Sequence, residues 1–464
     1  MRKIKSWLCI MGMMFFLCTS TVATYGASVS TPQEAAGVIQ EVMEWIQDQY
    51  VGEEVVIEEL LDGALKGIFS TLDPYSTYYT REEYQSYIEQ VTGTFGGIGV
   101  QMRANPSDLE IVQVFSGSPA EKAGIKQGDT IEEINGKSIE GQTLNEITSQ
   151  IKGPINTPVT LTLRRAGGPF TITLIREEIK INTIIAMPLR ELLPEAVETP
   201  DLLYIKISEF NAHTAEDFQK VLEEVKGKNI KGILFDLRDN LGGMLDQVLT
   251  ICKSLVPKGP IIHTVSKDGS RTTSYSTLEQ SPYPMVVLIN ERSASAAEIF
   301  ASALQDSGAG KLVGEKTFGK GIIQRFYGTT YGGSFKMTTE EYLTRNNYQI
   351  HGIGIQPDVE VKIPKVIPKV EKWELGQSNE VIREIKEVLA FLGYEISIEN
   401  ENYDEYTKKV ITQFQRDHQL YPYGVADFTT QQVLNEQLLR KIEKKDIQIQ
   451  KGYEILRDWS NNFY

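Results

Sequence analysis

The chain has 464 residues, enough for about three domains of ordinary size. Its 41% hydrophobic and 23% charged residues, with only 38 glycines and 18 prolines, exclude a mainly disordered, collagen-like or low-complexity chain. The formal charge of −15, with no basic patch in sight, argues against nucleic acid as a partner.

At the N-terminus, Arg2, Lys3 and Lys5 precede an apolar run from Trp7 to Leu17, and mostly small residues follow up to Ala27. Residues 1–27 read as a secretory signal peptide cleaved near Gly26 or Ala27; an uncleaved membrane anchor is the alternative. The protein is therefore expected to be exported, to the cell envelope or beyond. No other stretch is long and apolar enough to suggest a multi-span membrane protein. Cys9 and Cys18 fall in the signal segment, so Cys252 is the one cysteine left and no internal disulfide can form.

Residues 31–90 read as helical. Thr31-Pro32-Gln33-Glu34 is a capping box with proline at the first helical position, and Val38, Val42, Trp45 and Ile46 recur at helical spacing. A second helix carries Leu61, Ala64, Leu65, Ile68 and Leu72 and stops at Asp73-Pro74. Two amphipathic helices without a partner in sequence pack either on a core of the same chain or on a second copy as a homodimer. Residues 91–178 change to clustered glycines and short β-branched runs at Glu110–Val114, Thr130–Ile134, Val159–Arg164 and Phe170–Ile175. That is a small β-rich domain, with helix candidates at Ala120–Ala123 and Leu144–Ile151.

Residues 179–363 alternate strand and helix, the pattern of a sheet covered by helices. Leu203–Ile207, Gly232–Leu237 and Met285–Ile289 read as strands; Ala215–Lys226, a segment after Gly243 and one from Ala296 read as helices. Residues 364–374 carry paired prolines and read as a stiff linker. Residues 375–442 hold three helix candidates, Glu380–Leu392, Glu405–His418 and Thr430–Ile442, and 443–464 read as a charged tail of helical tendency.

Chemistry needs a nucleophile and a base. Ser295 stands where an apolar strand meets a helix, so its hydroxyl would lie beside free helix amides, and that of Ala296 would stabilise an oxyanion. The same serine would serve equally as an ordinary N-cap. The four histidines, His213, His263, His351 and His418, lack triad-like neighbours and metal-site spacing, and no metal or other cofactor is expected. A lysine is the other way to activate a hydroxyl. Lys320 lies between glycines among aromatic and aliphatic residues, where lost hydration would lower its pKa. On a strand, Gln324 would share its face and fix the amine. The glycines of Asp236-Leu237-Arg238-Asp239-Asn240-Leu241-Gly242-Gly243 leave backbone amides bare for a ligand oxygen, and no Gly-Lys-Ser/Thr follows to make a phosphate loop.

Together these segments resemble the carboxy-terminal-processing (tail-specific) serine peptidases over roughly residues 35–362. The resemblance rests on Leu72-Asp73-Pro74-Tyr75-Ser76, Phe95-Gly96-Gly97-Ile98-Gly99-Val100, Asp236-Leu237-Arg238 with Gly242-Gly243, Ser293–Glu298, Thr317–Gln324 and Gly354-Ile355-Gln356-Pro357-Asp358. It implies that Ser295 is the nucleophile, Lys320 the general base and Gln324 its orienter, with the amides of Ala296 and Gly243 as the oxyanion hole. It also implies a PDZ domain at 91–178 whose Ile98, Gly99 and Val100 amides hold a substrate's free C-terminal carboxylate. Residues 375–442 resemble a peptidoglycan-binding-like three-helix domain. The expected fold is mixed α/β: N-terminal helices, a crotonase-like α/β protease core with the PDZ domain inserted, and the C-terminal helices. The chain departs from the family at Ala297, where serine is frequent, and at Thr344-Arg345-Asn346-Asn347, where Thr-Pro-Ser-Gly is. A silent PDZ and wall-binding scaffold and an acyl-thioester enzyme are the competing readings; intact Ser295, Lys320 and Gln324 oppose the first, and export with a PDZ domain opposes the second.

Overall fold

The computed structural model describes residues 28–105, 108–198 and 201–461, so the segment read as a signal peptide lies outside the described residues. It divides into one unit ending at Leu72 and another starting at Asp73. In the first, helix α1 (Pro32–Gln49) begins at the capping box: Thr31 Oγ1 accepts from the Glu34 amide at 3.2 Å and the Glu34 carboxylate accepts from the Thr31 amide at 3.1 Å. Helix α2 (Ile57–Phe69) follows. Neither helix buries a residue, and Val38, Val42 and Trp45 are 46–64% exposed along one stripe. No helix among the described residues is long and apolar enough to cross a membrane.

The second unit opens with β1 (Thr77–Tyr79) and α3 (Arg81–Thr92). Strand β2 (Thr94–Gly97) leads into a module of β3 (Val100–Ala104), β4 (Leu109–Val114), α4 (Pro119–Lys122), β5 (Thr130–Ile134), β6 (Lys137–Ser138), α5 (Leu144–Ile151), β7 (Pro158–Arg165) and β8 (Gly168–Ile175). The return strand β9 (Glu177–Lys180) pairs antiparallel with β2, Thr94 opposite Lys180, and closes the module at its neck. The sheet runs β3-β4-β5-β7-β8, with β3 at its edge. The period of two seen in the sequence is what buries it. Val159, Leu161 and Leu163 of β7 point into a core with Ile111 and Ile147, while Thr160 and Thr162 face outward and bond Thr173 and Thr171 across the pair.

The core domain follows as β10 (Ile184–Pro188), β11 (Leu202–Ile207), α6 (Thr214–Val225), β12 (Gly232–Asp236), α7 (Leu245–Lys253), β13 (Gly259–Ser266), β14 (Arg271–Ser276), β15 (Met285–Ile289), α8 (Ala296–Asp306), β16 (Gly310–Gly314), β17 (Ile322–Gly328), β18 (Ser334–Thr344) and β19 (Val359–Glu360). Its main sheet is ordered β10-β11-β12-β15-β16-β19, parallel from β11 onward with β10 antiparallel at the edge. A second sheet, β1-β18-β13-β14 with β17 on β18, brings Thr77 opposite Lys336. Three further helices, α9 (Glu380–Leu392), α10 (Glu405–Asp417) and α11 (Phe428–Lys444), pack around Ile385, Leu389, Phe414 and Leu434, and α12 (Ile447–Ser460) ends the described chain.

Two expectations need correction. β12 and β15 are buried at every position, so both sheet faces must be covered. Ile233, Phe235, Val287 and Ile289 meet helices α6 to α8. Leu234, Val286 and Leu288 alternate to the other face, where Ile449, Tyr453 and Leu456 cover them. The supposed charged tail is therefore a core helix, and its stripe at i, i+4 and i+7 is masked in the sequence by the charges around it. At Gly452 the helix approaches so closely that a β-carbon would lie 2.7 Å from Leu234 Cδ1. The supposed linker is likewise pinned. Buried Ile367 exchanges hydrogen bonds with the Asn435 amide at 2.8 and 2.9 Å, and Trp373 pairs with Ala426.

Candidate active site

An apolar strand must turn before a helix can start, and β15 does so between Asn290 and Ser295. Buried Ser293 ties this turn, donating to Leu237 O at 2.8 Å and accepting from the Asn290 amide at 3.0 Å. Ser295 sits at φ 56°, ψ −116°, and Ala296 opens α8. Such a backbone stores about 1–3 kcal/mol and persists only where its surroundings enforce it. A serine held at a sharp strand-to-helix turn offers its hydroxyl next to the helix's unpaired amides.

What enforces it is Glu298, a fully buried carboxylate. One oxygen accepts from the amides of Ser295 (2.9 Å) and Lys320 (2.8 Å). The other accepts from the Gly319 amide (2.8 Å) and from the Thr317 hydroxyl (2.5 Å). The Thr317 oxygen itself accepts from the Ile355 amide at 2.7 Å, which fixes its proton on the Glu298 side. Burial pushes the Glu298 carboxyl up and the four donors oppose it. The Tyr342 hydroxyl spans the same two residues, bonding Ser295 O at 3.0 Å and also Lys320 O. Glu298→Gln puts an NH₂ where two donors converge, whichever way the amide turns. An unsatisfied buried group costs about 1–3 kcal/mol, so the melting temperature and peptide hydrolysis should both fall, hydrolysis by about tenfold or more. Unchanged hydrolysis in the variant would remove Glu298 from this role.

The loop after β12 lies against the turn. The Asn240 carboxamide accepts from the Gly242 amide at 2.8 Å and donates to Ile207 O at 2.8 Å. A β-carbon on Gly242 would stand 2.7 Å from Ser295 Cβ, and one on Gly243, at φ 137°, would stand 2.2 Å from Phe210 O. Among the described residues neither the Gly243 nor the Ala296 amide donates a hydrogen bond, so two N–H groups remain for a third oxygen.

Ser295, Ala296, Gly243, Lys320 and Gln324 all line one cleft of about 670 Å³. Helix α3 supplies a wall through Tyr87, Ile88 and Val91, and none of the four histidines reaches it. Burial, with nearby Lys336 adding to it, holds the Lys320 amine below the usual lysine range. Among the described residues the amine donates no hydrogen bond; it stands 4.9 Å above the Tyr75 ring. The strand argument for Gln324 needs correcting. Lys320 precedes β17, a register shift falls between Ile323 and Gln324, and Gln324 Nε2 donates to Thr338 Oγ1 at 3.3 Å. The two residues share the cleft without bonding each other.

At the neck of the β-rich module the loop before β3 has its carbonyls committed inward. Ile98 O accepts from the Ala120 amide at 2.9 Å, and Gly99 O from the Phe115 amide at 2.9 Å. Among the described residues the amides of Ile98 and Gly99 donate to nothing, and Val100 begins the edge strand.

Family models match four stretches: peptidase family S41 at residues 201–361, a PDZ domain at 110–165, a putative peptidoglycan binding domain at 378–434 and the activating protease CtpB N-terminal domain at 18–83. The carboxy-terminal processing protease CtpB of Bacillus subtilis (strain 168) is 34% identical over 450 residues, covering 94% of this chain and 92% of that protein. The chain belongs to the carboxy-terminal processing proteases of peptidase family S41. CtpA of the same organism is 33% identical over 439 residues, covering 93% and 92%. Among solved structures, a photosystem II D1 C-terminal processing protease aligns over 73% of this chain and 95% of its own at 24% identity, with a TM-score of 0.43.

For this family member the sequence singled out the five cleft residues, and the fold gathers them. It gave no role to Glu298, Tyr342, Tyr75, Asp73, Thr338 or Lys336. Glu298 carried a signal, its place three residues after Ser295 in a capping-box pattern. Tyr342, Thr338 and Lys336 reach the site only because β18 pairs with both β1 and β17, which no local pattern announces.

Proposed function

We propose that the protein is an exported serine endopeptidase that captures free C-termini in its PDZ domain and cleaves by acyl transfer. The observation that carries this reading is the shared cleft. Ser295 is held in a strained turn, Lys320 is disfavoured as a cation, and one carboxylate fixes both backbones. A neutral Lys320 amine takes the Ser295 proton as Oγ attacks the scissile carbonyl carbon. The amides of Ala296 and Gly243 bind the resulting oxyanion. Collapse breaks the C–N bond, and the Lys320 ammonium returns the proton to the leaving amine. Lys320 then deprotonates a water, which releases the acyl group and regenerates Ser295.

The free amides at Ile98 and Gly99, beside the open edge of β3, support carboxylate capture. Helix α3, a wall of the cleft, runs through Gly93 into β2, so the module is attached directly to the site it would serve. The peptidoglycan-binding-domain match and the signal-like N-terminus support work in the cell envelope.

Labelling with a serine-reactive fluorophosphonate tests the chemistry. Label should map to Ser295, be absent in Ser295→Ala, and appear on protein from the envelope or medium whose chain starts near Ala27. In the same assay, amidating the C-terminus of an unstructured substrate should weaken cleavage severalfold. Label elsewhere would overturn the nucleophile, and equal cleavage of free and amidated substrates would overturn tail capture alone.

A further inference from the structure

The segment Asp73-Pro74-Tyr75-Ser76 has no part in the mechanism above, yet it reaches the active cleft. Asp73 gathers hydrogen bonds from the Tyr75 amide (2.9 Å), the Ser76 amide (3.1 Å), the Ser76 hydroxyl (2.8 Å) and the Thr338 hydroxyl (3.2 Å). The Ser76 oxygen in turn accepts from the Thr338 amide at 3.0 Å. Thr338 Oγ1 then accepts from Gln324 Nε2 at 3.3 Å. Three residues distant in sequence thus form one chain ending in the Lys320 cleft.

A hydroxyl has one proton. Because Thr338 gives its proton to Asp73, it can only accept from Gln324. The Gln324 amide is therefore held with its NH₂ toward Thr338 and its carbonyl oxygen as the free end. An amine acting as base must aim its lone pair at the serine and needs acceptors, not donors, for its own hydrogens. Without Asp73 the Thr338 hydroxyl could donate to Gln324, the amide could reverse, and a donor would face the amine.

Charge points the same way. Lys336 shares the cleft with Lys320, its amine 5.0 Å from the Tyr87 ring and 5.8 Å from that of Tyr79. Two cations in one desolvated cleft repel each other. Burial and then Lys336 lower the Lys320 amine, while Asp73 from the turn before β1 and Glu298 from α8 act against them. Burial lowers Lys336 as well, again opposed by Asp73. Burial would raise the Asp73 carboxyl, but its hydrogen bonds keep it low and ionised. The other groups around Lys320 are Tyr75 and Tyr342, with Glu209, Asp239 and Asp246 also lining the cleft.

We propose that Asp73 is a positioning residue for Lys320: through Thr338 it orients the Gln324 amide, and its negative charge offsets the positive charge of Lys336 beside the base. The inference rests on the Ser295/Lys320 reading.

The test is the pH profile of kcat/KM for peptide hydrolysis by the full chain, with circular dichroism to verify folding. Asp73→Asn removes an interaction that favours charged Lys320, so the acid limb should move down by about one pH unit while the plateau falls at least severalfold. Lys336→Met removes a like charge, so the limb should move up by a similar amount. Thr338→Val should lower the plateau and leave the limb in place, and Thr338→Ser should restore it. If Asp73→Asn fails to fold, the Lys336 and Thr338 variants decide. Unmoved limbs in both charge variants, or a Thr338→Val enzyme with full activity, would overturn the proposal. Lys320→Ala separates the two levels. Full activity there removes the dyad reading itself, whereas its inactivity beside unperturbed Asp73, Lys336 and Thr338 variants removes this inference only.

Discussion

Lys320→Ala is expected to lower kcat/KM by about 10⁴-fold or more, and Ser295→Ala by a similar factor, with the fold of each variant intact. The effect is large because, in the proposed mechanism, nucleophile and base act as a unit, and removing either leaves only the oxyanion amides and binding energy. It should also be non-additive, the double variant being little worse than either single one. Stability should barely change, since the Lys320 side chain makes no hydrogen bond among the described residues and Glu298 holds the backbone instead. The wild-type profile carries the sign of the mechanism. In the proposed mechanism attack requires the neutral amine, and burial with Lys336 holds the amine below the usual lysine range. Activity should therefore rise with pH and level off below the pH at which an exposed lysine deprotonates. Steady-state hydrolysis of an unstructured peptide across the pH range measures both. A Lys320→Ala enzyme within tenfold of wild type would sink the assignment.

Ending the chain at Glu443 is expected to destroy the protease core although no active-site residue is lost. Ile449, Tyr453 and Leu456 cover Leu234, Val286 and Leu288, and burial of each large apolar side chain contributes about 1.5–3 kcal/mol. Their combined loss is comparable to the whole stability of a domain, about 5–15 kcal/mol. Truncation also strips Arg238 of Asp446 at 2.7 Å and of the Gln448 carboxamide at 3.0 Å, next to the loop that carries Gly242 and Gly243. The uncovered sheet face would be a contiguous apolar patch that promotes aggregation. Thermal unfolding and solubility measure this. The truncated chain should lack the cooperative transition of the intact protein, and Leu456→Ala alone should cost about 2–5 kcal/mol. A soluble truncated chain melting where the full chain does would show that α12 is dispensable.

The expected activity needs both kinds of information. The elements with strong local patterns are read correctly from the chain: β15 at Met285–Ile289, α5 at Leu144–Ile151, α9 at Glu380–Leu392 and the capped start of α1 all stand where composition and period place them. The reason is that strand alternation, helix caps and breakers act within a few residues. The cleft residues Ser295, Lys320, Gln324, Ala296 and Gly243 were legible as motifs, because a strand-to-helix turn and glycine-flanked segments leave marks in sequence. What those residues touch was not. Whether 443–464 is a tail or a core helix depends on an uncovered sheet face more than a hundred residues earlier. That Gln324 bonds Thr338, and Thr338 bonds Asp73, depends on β18 pairing with β17 on one side and β1 on the other. Local motifs of the chain mark which residues are candidates for the proposed chemistry. How these residues are oriented, strained and desolvated is set by the assembled fold, since opposing charge and hydrogen-bond partners come from segments that meet only when the sheets assemble.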